Sequence, residues 1–174
     1  MRSQITSNGH LLALLALLSL AVQSSTIIAQ EVLADRIVNF KTFDQRLSTS
    51  GKLRSGALPL LQQQGFKTIL DLRTPKEGTA QEQRDAEALG LSYINIPVSR
   101  SLPSQQTLAK IRNLLDNSDA PILMHCGSGS RVGMVWSLLR LQAGDSLKDA
   151  LDQGRKMGMN STMEAKVLEK TQID

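Results

Sequence analysis

Cys126 is the only cysteine in this 174-residue chain, and it is followed by glycine, serine, glycine, serine and then Arg131. A lone thiol cannot close an internal disulfide or build a multi-cysteine metal site, so its use is either packing or reactivity. The neighbouring residues favour reactivity. Gly127, Ser128, Gly129 and Ser130 make a loop small enough to curl, with successive backbone N–H groups converging on one anion and the serine hydroxyls as additional donors. Gly127 and Gly129 tolerate the dihedrals that such a curl asks for. Arg131 adds a planar, permanently charged fork suited to two oxygens of a phosphate. The same amide dipoles and cation favour the thiolate of Cys126, which is the nucleophilic form. The competing reading is a buried cysteine beside a Gly-Ser turn, with Arg131 as a surface charge.

His125 precedes the cysteine. His10 lies in the N-terminal segment, so His125 is the one histidine in the rest of the chain, which excludes a His-rich metal centre. The sequence calls for neither a metal nor a cofactor. Adjacent residues leaving a strand point to opposite sides, so His125 is poorly placed to deprotonate Cys126. Its expected use is to orient the loop by hydrogen bonding to backbone, or simply to pack in the core.

The elements around the loop read as alternating strands and helices. Ile122–His125 is a short apolar strand, and a helix from near Val132 to Ala143, stopped by Gly144, follows the loop. That places Cys126 where a strand's carboxyl end meets a helix N-terminus, the place where ligands bind in open α/β sheets. Upstream, Arg46–Gly51 reads as a strand running into a turn, and Ser55 as the cap of a helix to about Gln64. Phe66–Leu72 and Leu91–Ile96 read as strands, with a helix over Gln81–Leu89 between them. Pro103-Ser104 opens a helix to about Leu115, whose Leu108, Ile111, Leu114 and Leu115 recur at helical spacing. Ser146 and Asp149 start a further helix in the manner of a capping box, and a last one covers about Met163–Lys170. The alternation implies an α/β fold: a single domain with a central, mostly parallel sheet flanked by helices.

The first 29 residues read as a signal peptide. A polar lead with Arg2 precedes the apolar run Leu11–Val22, and small residues up to Ala29 follow. The expectation is an exported protein, periplasmic or secreted, whose domain occupies residues 30–174 with no membrane span after signal removal. Beyond Ala29 the chain holds 19 basic and 16 acidic residues, scattered rather than in runs. With aromatics at 3%, this leaves no footprint for nucleic acid.

At Cys126 and Arg131 the chain resembles the cysteine-based protein phosphatase superfamily, although four residues rather than that superfamily's five separate the two. The four-residue spacer is similar to the loop of rhodanese sulfurtransferases. The likeness is broader to a bacterial family of dual-specificity-phosphatase-like domains found alone or fused to hydrolases related to β-lactamases. It runs from about Asn39 to Asn160, through Leu47–Gly51, Gly65–Arg73, Tyr93–Val98 and the Cys126 loop. The resemblance implies a phosphatase-like fold and a phosphatase acting on a phosphorylated protein or small phosphate ester. Cys126 would attack phosphorus, and Arg131 with the amides of Gly127, Ser128, Gly129 and Ser130 would hold the oxygens.

Two positions depart from that pattern. Pro97–Ser101 carries no acid where a phosphatase general acid usually stands, which leaves Glu77, Glu82 and Asp85 as candidates, and Val132 follows the arginine where Ser or Thr is usual. Two other activities therefore remain open: a sulfurtransferase carrying a persulfide on Cys126, and a non-catalytic module that binds phosphate or phosphoprotein. Asp71 is expected in a local ion pair or turn contact, and Arg73 either there or lining the site mouth. Arg100 is expected to be solvated. Trp136 and the methionines Met157, Met159 and Met163 are expected to serve as packing.

Overall fold

The computed structural model describes residues 33–173; the expected signal peptide, residues 1–29, lies outside them. The chain order is β1 (Lys41–Thr42), β2 (Leu47–Ser50), α1 (Ala57–Gln63), β3 (Thr68–Asp71), a 3₁₀ turn (Pro75–Glu77), α2 (Thr79–Ala88) and β4 (Ser92–Asn95), then α3 (Gln105–Asn117), β5 (Ile122–His125), α4 (Ser130–Gln142), α5 (Leu147–Lys156) and α6 (Ser161–Ile173). The sheet order is β1-β2-β5-β3-β4. Strands β2, β5, β3 and β4 pair in parallel, and the two-residue β1 closes one edge antiparallel to β2. This is the α/β architecture expected from the sequence.

Strand alternation sorts side chains between two cores. Leu70, Leu72, Ile122 and Met124 join a cluster with Leu108, Ile111, Val135 and Val167 from the helices α3, α4 and α6. Ile69, Leu123 and Tyr93 face the other way, onto Leu61 of α1 and Ala86 of α2. The parity continues past β5, so His125 shares the face of Leu123 while Cys126 belongs to the cluster containing Met124.

The register then aligns the ends of the strands. Ser50, His125, Asp71 and Asn95 are Cα partners in one row at the carboxyl edge. The Cys126 loop leaves the sheet from His125 in that row.

Some boundaries differ from the expectation. Gly56, in the left-handed region at φ 80°, is the N-cap of α1, and no side chain caps it, so Ser55 does not have that role. Helix α4 starts at Ser130 rather than near Val132, which brings Arg131 into its first turn. Ser146 does cap α5, accepting from the Asp149 amide, and Ser104 caps α3 through the Thr107 amide. Among the described residues, no helix is long and apolar enough to cross a membrane.

Candidate active site

The loop from Cys126 to Arg131 wraps the N-terminus of α4. Cys126 is fully buried, its amide donates to Ser50 O at 3.2 Å, and its sulfur accepts the Gly129 N–H at 3.1 Å. Gly129 sits at φ 95°, a conformation that glycine adopts without steric cost. Gly127 serves by size instead: a Cβ there would lie 3.3 Å from Arg131 Nη2 and 3.7 Å from Glu77 Oε1. The expectation of an unusual dihedral thus holds for Gly129 and is replaced at Gly127 by close approach. The two serines of the loop face each other, Ser128 Oγ donating to Ser130 Oγ at 3.4 Å. Gly51 lets the end of β2 press on the loop, since a Cβ there would meet Ser128 Cα at 2.9 Å.

Arg131 is 8% exposed and held on three sides. Its Nη1 donates to Val98 O at 2.9 Å and to Glu77 Oε2 at 2.9 Å, and its Nη2 to Glu77 Oε1 at 2.6 Å. The Glu77 carboxylate, and after burial is overcome the Cys126 sulfur beside it, hold the guanidinium firmly in its charged form. Arg131 is therefore a fixed cation next to the sulfur and not a surface charge.

Glu77 is fixed from its own side. It ends the 3₁₀ turn in a capping box, accepting from the Thr74 amide at 2.8 Å and the Thr74 hydroxyl at 2.9 Å. The Arg131 hydrogen bond is the largest influence; together with the weaker Thr74 bonds it outweighs burial and pulls the Glu77 carboxyl down to about 2 from the usual 4.5. In this arrangement Glu77 is an ion-pair partner and carries no proton to donate near neutral pH. Its depressed value means that the pair stabilises the fold fully above about pH 4.5, and that this contribution disappears as pH falls toward 2. The expected outcome is that Glu77→Gln is less stable than wild type at pH 5 and that the gap closes on acidification, measured by denaturant unfolding across that window.

Behind the loop, on the other face of the sheet, lies a second polar group. Arg73 Nη2 stands 2.7 Å from both Asp71 Oδ2 and Glu82 Oε1, and Arg73 Nε reaches both Asp71 oxygens at 3.0 Å. The Tyr93 hydroxyl donates to Asp71 Oδ2 at 2.5 Å. His125 Nε2 approaches Glu82 Oε1 to 3.0 Å and Asp71 Oδ1 to 3.6 Å. Burial alone would raise the Asp71 carboxyl; the Arg73 hydrogen bond, the nearby His125 and the Tyr93 hydroxyl outweigh it and hold it below its ordinary value. Burial, then Asp71, keeps Tyr93 a neutral phenol.

Asp71, Glu82 and His125 offer ligand atoms within 4.8 Å of one another, a spacing that a metal could use. The Arg73 guanidinium already sits between the two carboxylates, supplying the positive charge a cation would bring. The expectation of backbone hydrogen bonds for His125 is corrected: neither ring nitrogen makes a directed bond among the described residues, and the ring lies against carboxylates instead.

Of the acids raised as possible proton donors, Glu77 is locked on Arg131 and Glu82 is engaged with Arg73 and His125. Asp85 is exposed and accepts from Gln81 Nε2 at 2.8 Å. It lines a cavity of about 620 Å³ that also touches Glu77, Lys52, Leu53 and Leu58, and so runs beside the loop. Arg100 is exposed and Trp136 packs edge-on against Phe43, as expected. Sequence reasoning did not assign the Glu77–Arg131 pair, although Thr74 and Glu77 spell a capping box that places that carboxylate locally. It also passed over Asn39, whose side-chain amide donates to Ser128 O at 3.0 Å.

Comparison with known proteins agrees with this geometry. Residues 39–144 match the family described as beta-lactamase hydrolase-like protein, phosphatase-like domain. A beta-lactamase hydrolase-like protein of Agrobacterium fabrum is 29% identical over 100 residues, covering 55% of this chain and 23% of that protein. The match thus spans about a quarter of the length of the curated relatives. Two solved structures share the fold. TpbA from P. aeruginosa, in complex with pTyr, aligns at TM-score 0.61 and 16% identity over 75% of this chain and 82% of its own. The core catalytic domain of a PP-IP phosphatase from S. cerevisiae, in complex with citrate, aligns at TM-score 0.60 and 19% identity over 79% and 94%. With more than half of its length matched by the family pattern, and with the loop, sheet order and helix placement just described, the chain belongs to the phosphatase-like domain family of beta-lactamase hydrolase-like proteins.

Proposed function

We propose that this domain is a cysteine-dependent phosphatase that hydrolyses phosphate monoesters through a phosphocysteine intermediate. One observation carries the reading: the Cys126 sulfur accepts an amide N–H at the N-terminus of α4 while the fixed guanidinium of Arg131 stands beside it. A helix N-terminus and a cation are the two environments that turn a thiol into a nucleophile and gather an oxyanion. In the first step the sulfur bonds to phosphorus as the ester P–O bond breaks, with the loop amides and Arg131 holding the phosphoryl oxygens. In the second, water attacks phosphorus, the S–P bond breaks, and phosphate and the free thiolate are restored.

The leaving group sets the substrate class. Glu77 and Glu82 are both committed to cations and Asp85 accepts from Gln81 in an exposed position, so the departing oxygen takes its proton from water. General acid catalysis contributes about 10²–10⁴-fold where it operates, so esters of good leaving groups such as phenols are favoured. The pTyr held by TpbA belongs to that class. The partner is thus a phosphorylated protein or a small aryl phosphate, and the apolar run Leu11–Val22 supports placing the enzyme outside the cytoplasm.

A second reading has its own support. The four-residue spacer and the Glu77 carboxylate 2.6 Å from Arg131 narrow the cradle, and Val132 offers no hydroxyl to help discharge phosphocysteine. A sulfurtransferase needs room for one sulfur atom: thiosulfate would pass its outer sulfur to Cys126, release sulfite, and leave a persulfide that cyanide takes as thiocyanate. Parallel assays separate the two. Phosphate release from an aryl phosphate without thiocyanate formation is the expected result, thiocyanate without phosphate establishes the second reading, and tungstate binding without either establishes a binding module.

A further inference from the structure

The Cys126 loop is held from outside as well as from within. We infer that Asn39 is a positioning residue: its side-chain amide fixes the Ser128–Gly129 peptide so that the Gly129 N–H faces the Cys126 sulfur. The inference rests on the reading of Cys126 as the reactive thiolate and adds a residue that the proposed chemistry did not include.

A trans peptide points its C=O and its N–H in opposite directions. In the Ser128–Gly129 peptide the carbonyl oxygen accepts from Asn39 Nδ2 at 3.0 Å, and the N–H on the far side donates to Cys126 Sγ at 3.1 Å. Holding the oxygen outward therefore holds the hydrogen inward. The preceding peptide is treated the same way by backbone: Gly127 O accepts from the Lys52 amide at 3.1 Å, which turns the Ser128 N–H toward the cradle. Two consecutive amides are thus aimed by two external donors.

Asn39 is itself placed by that same strip of chain. Val38 donates to Lys52 O at 3.1 Å and accepts from the Gly51 amide at 2.6 Å, and Ile37 bridges to Leu53. The segment 37–39 is therefore tied to 51–53, which presses on the loop through Lys52 and Gly51. Immediately after these bonds Asn39 enters the left-handed region at φ 52°, the one non-glycine residue to do so among the described residues. Glycine would take this conformation more readily, and asparagine is the side chain that tolerates it best while still supplying a donor. Asn39 is exposed, so it contributes little to the core, and among the described residues its side-chain hydrogen bond goes to the loop.

The test compares Asn39→Gly, which keeps the backbone conformation and removes the amide, with Asn39→Ala and Asn39→Asp. Two readouts report on the loop near neutral pH: the rate of Cys126 alkylation by iodoacetamide, and the affinity for tungstate by calorimetry. Losing one neutral hydrogen bond is expected to lower both by about 3- to 10-fold in Asn39→Gly. Asn39→Asp, which sets a carboxylate against the Ser128 carbonyl, is expected to lose at least as much. Thermal unfolding is measured alongside, because a merely structural residue would lower the melting temperature and leave the folded protein's thiol reactivity unchanged. A reactive wild type with an equally reactive Asn39→Gly overturns the inference. A wild type that ignores tungstate overturns the underlying reading of Cys126 instead.

Discussion

Cys126→Ser lowers aryl phosphate hydrolysis by about 10⁴-fold or more and leaves the melting temperature within a few degrees of wild type. Serine is close in size to cysteine, and its oxygen can still accept the Gly129 N–H, so the loop keeps its inward bond. What is lost is the sulfur nucleophile, because a serine hydroxyl in the same loop attacks phosphorus far less readily than sulfur does. Steady-state phosphate release from a nitrophenyl phosphate, with thermal unfolding in parallel, gives both quantities. Activity within tenfold of wild type would require another nucleophile. The chain has no second cysteine, so that outcome would remove the proposed mechanism altogether.

The second large effect belongs to Arg131. Lysine keeps the charge and loses the fork, so Arg131→Lys is expected to lower kcat/KM by about 10²–10³-fold, the typical cost of removing one well-placed transition-state donor. Besides Leu72 O at 3.5 Å, three closer acceptors take hydrogen bonds from this side chain: both Glu77 oxygens and Val98 O. A lysine ammonium cannot satisfy the spread of all three while facing the sulfur, and an unpartnered buried carbonyl costs roughly 1–3 kcal/mol. The substitution should therefore lower stability as well as activity, and weaken tungstate binding measured by calorimetry. Retention of activity within about threefold would show that charge alone suffices there, against the role given to the guanidinium geometry.

Much of this site was legible in the sequence because it is local. Cys126 to Arg131 is one uninterrupted segment, and the strand before it and the helix after it have strong patterns. Where the chain crosses from one element to the next, patterns also sufficed for Ser146 as a cap, for a helix opening at Pro103-Ser104, and for the separation of His125 from Cys126 by strand parity. What stayed hidden depends on tertiary pairing. Glu77 meets Arg131 across 54 residues and Asn39 meets Ser128 across 89, separations at which no periodicity in the sequence reports a contact. The cluster of Asp71, Arg73, Glu82 and His125 likewise exists only because the β3–β5 register puts Asp71 beside His125 and α2 lays Glu82 over both. Ser55 was misassigned as a cap because cap preferences are statistical, whereas Gly56 at φ 80° fills that place through its backbone freedom.

The most direct measurement is rapid-quench mass spectrometry of the whole protein, followed by peptide mapping, after brief exposure to an aryl phosphate. The expected result is a phosphoryl group on Cys126, absent from Cys126→Ser and lost as phosphate appears. Phosphate release with Cys126 unmodified at every time point would contradict it.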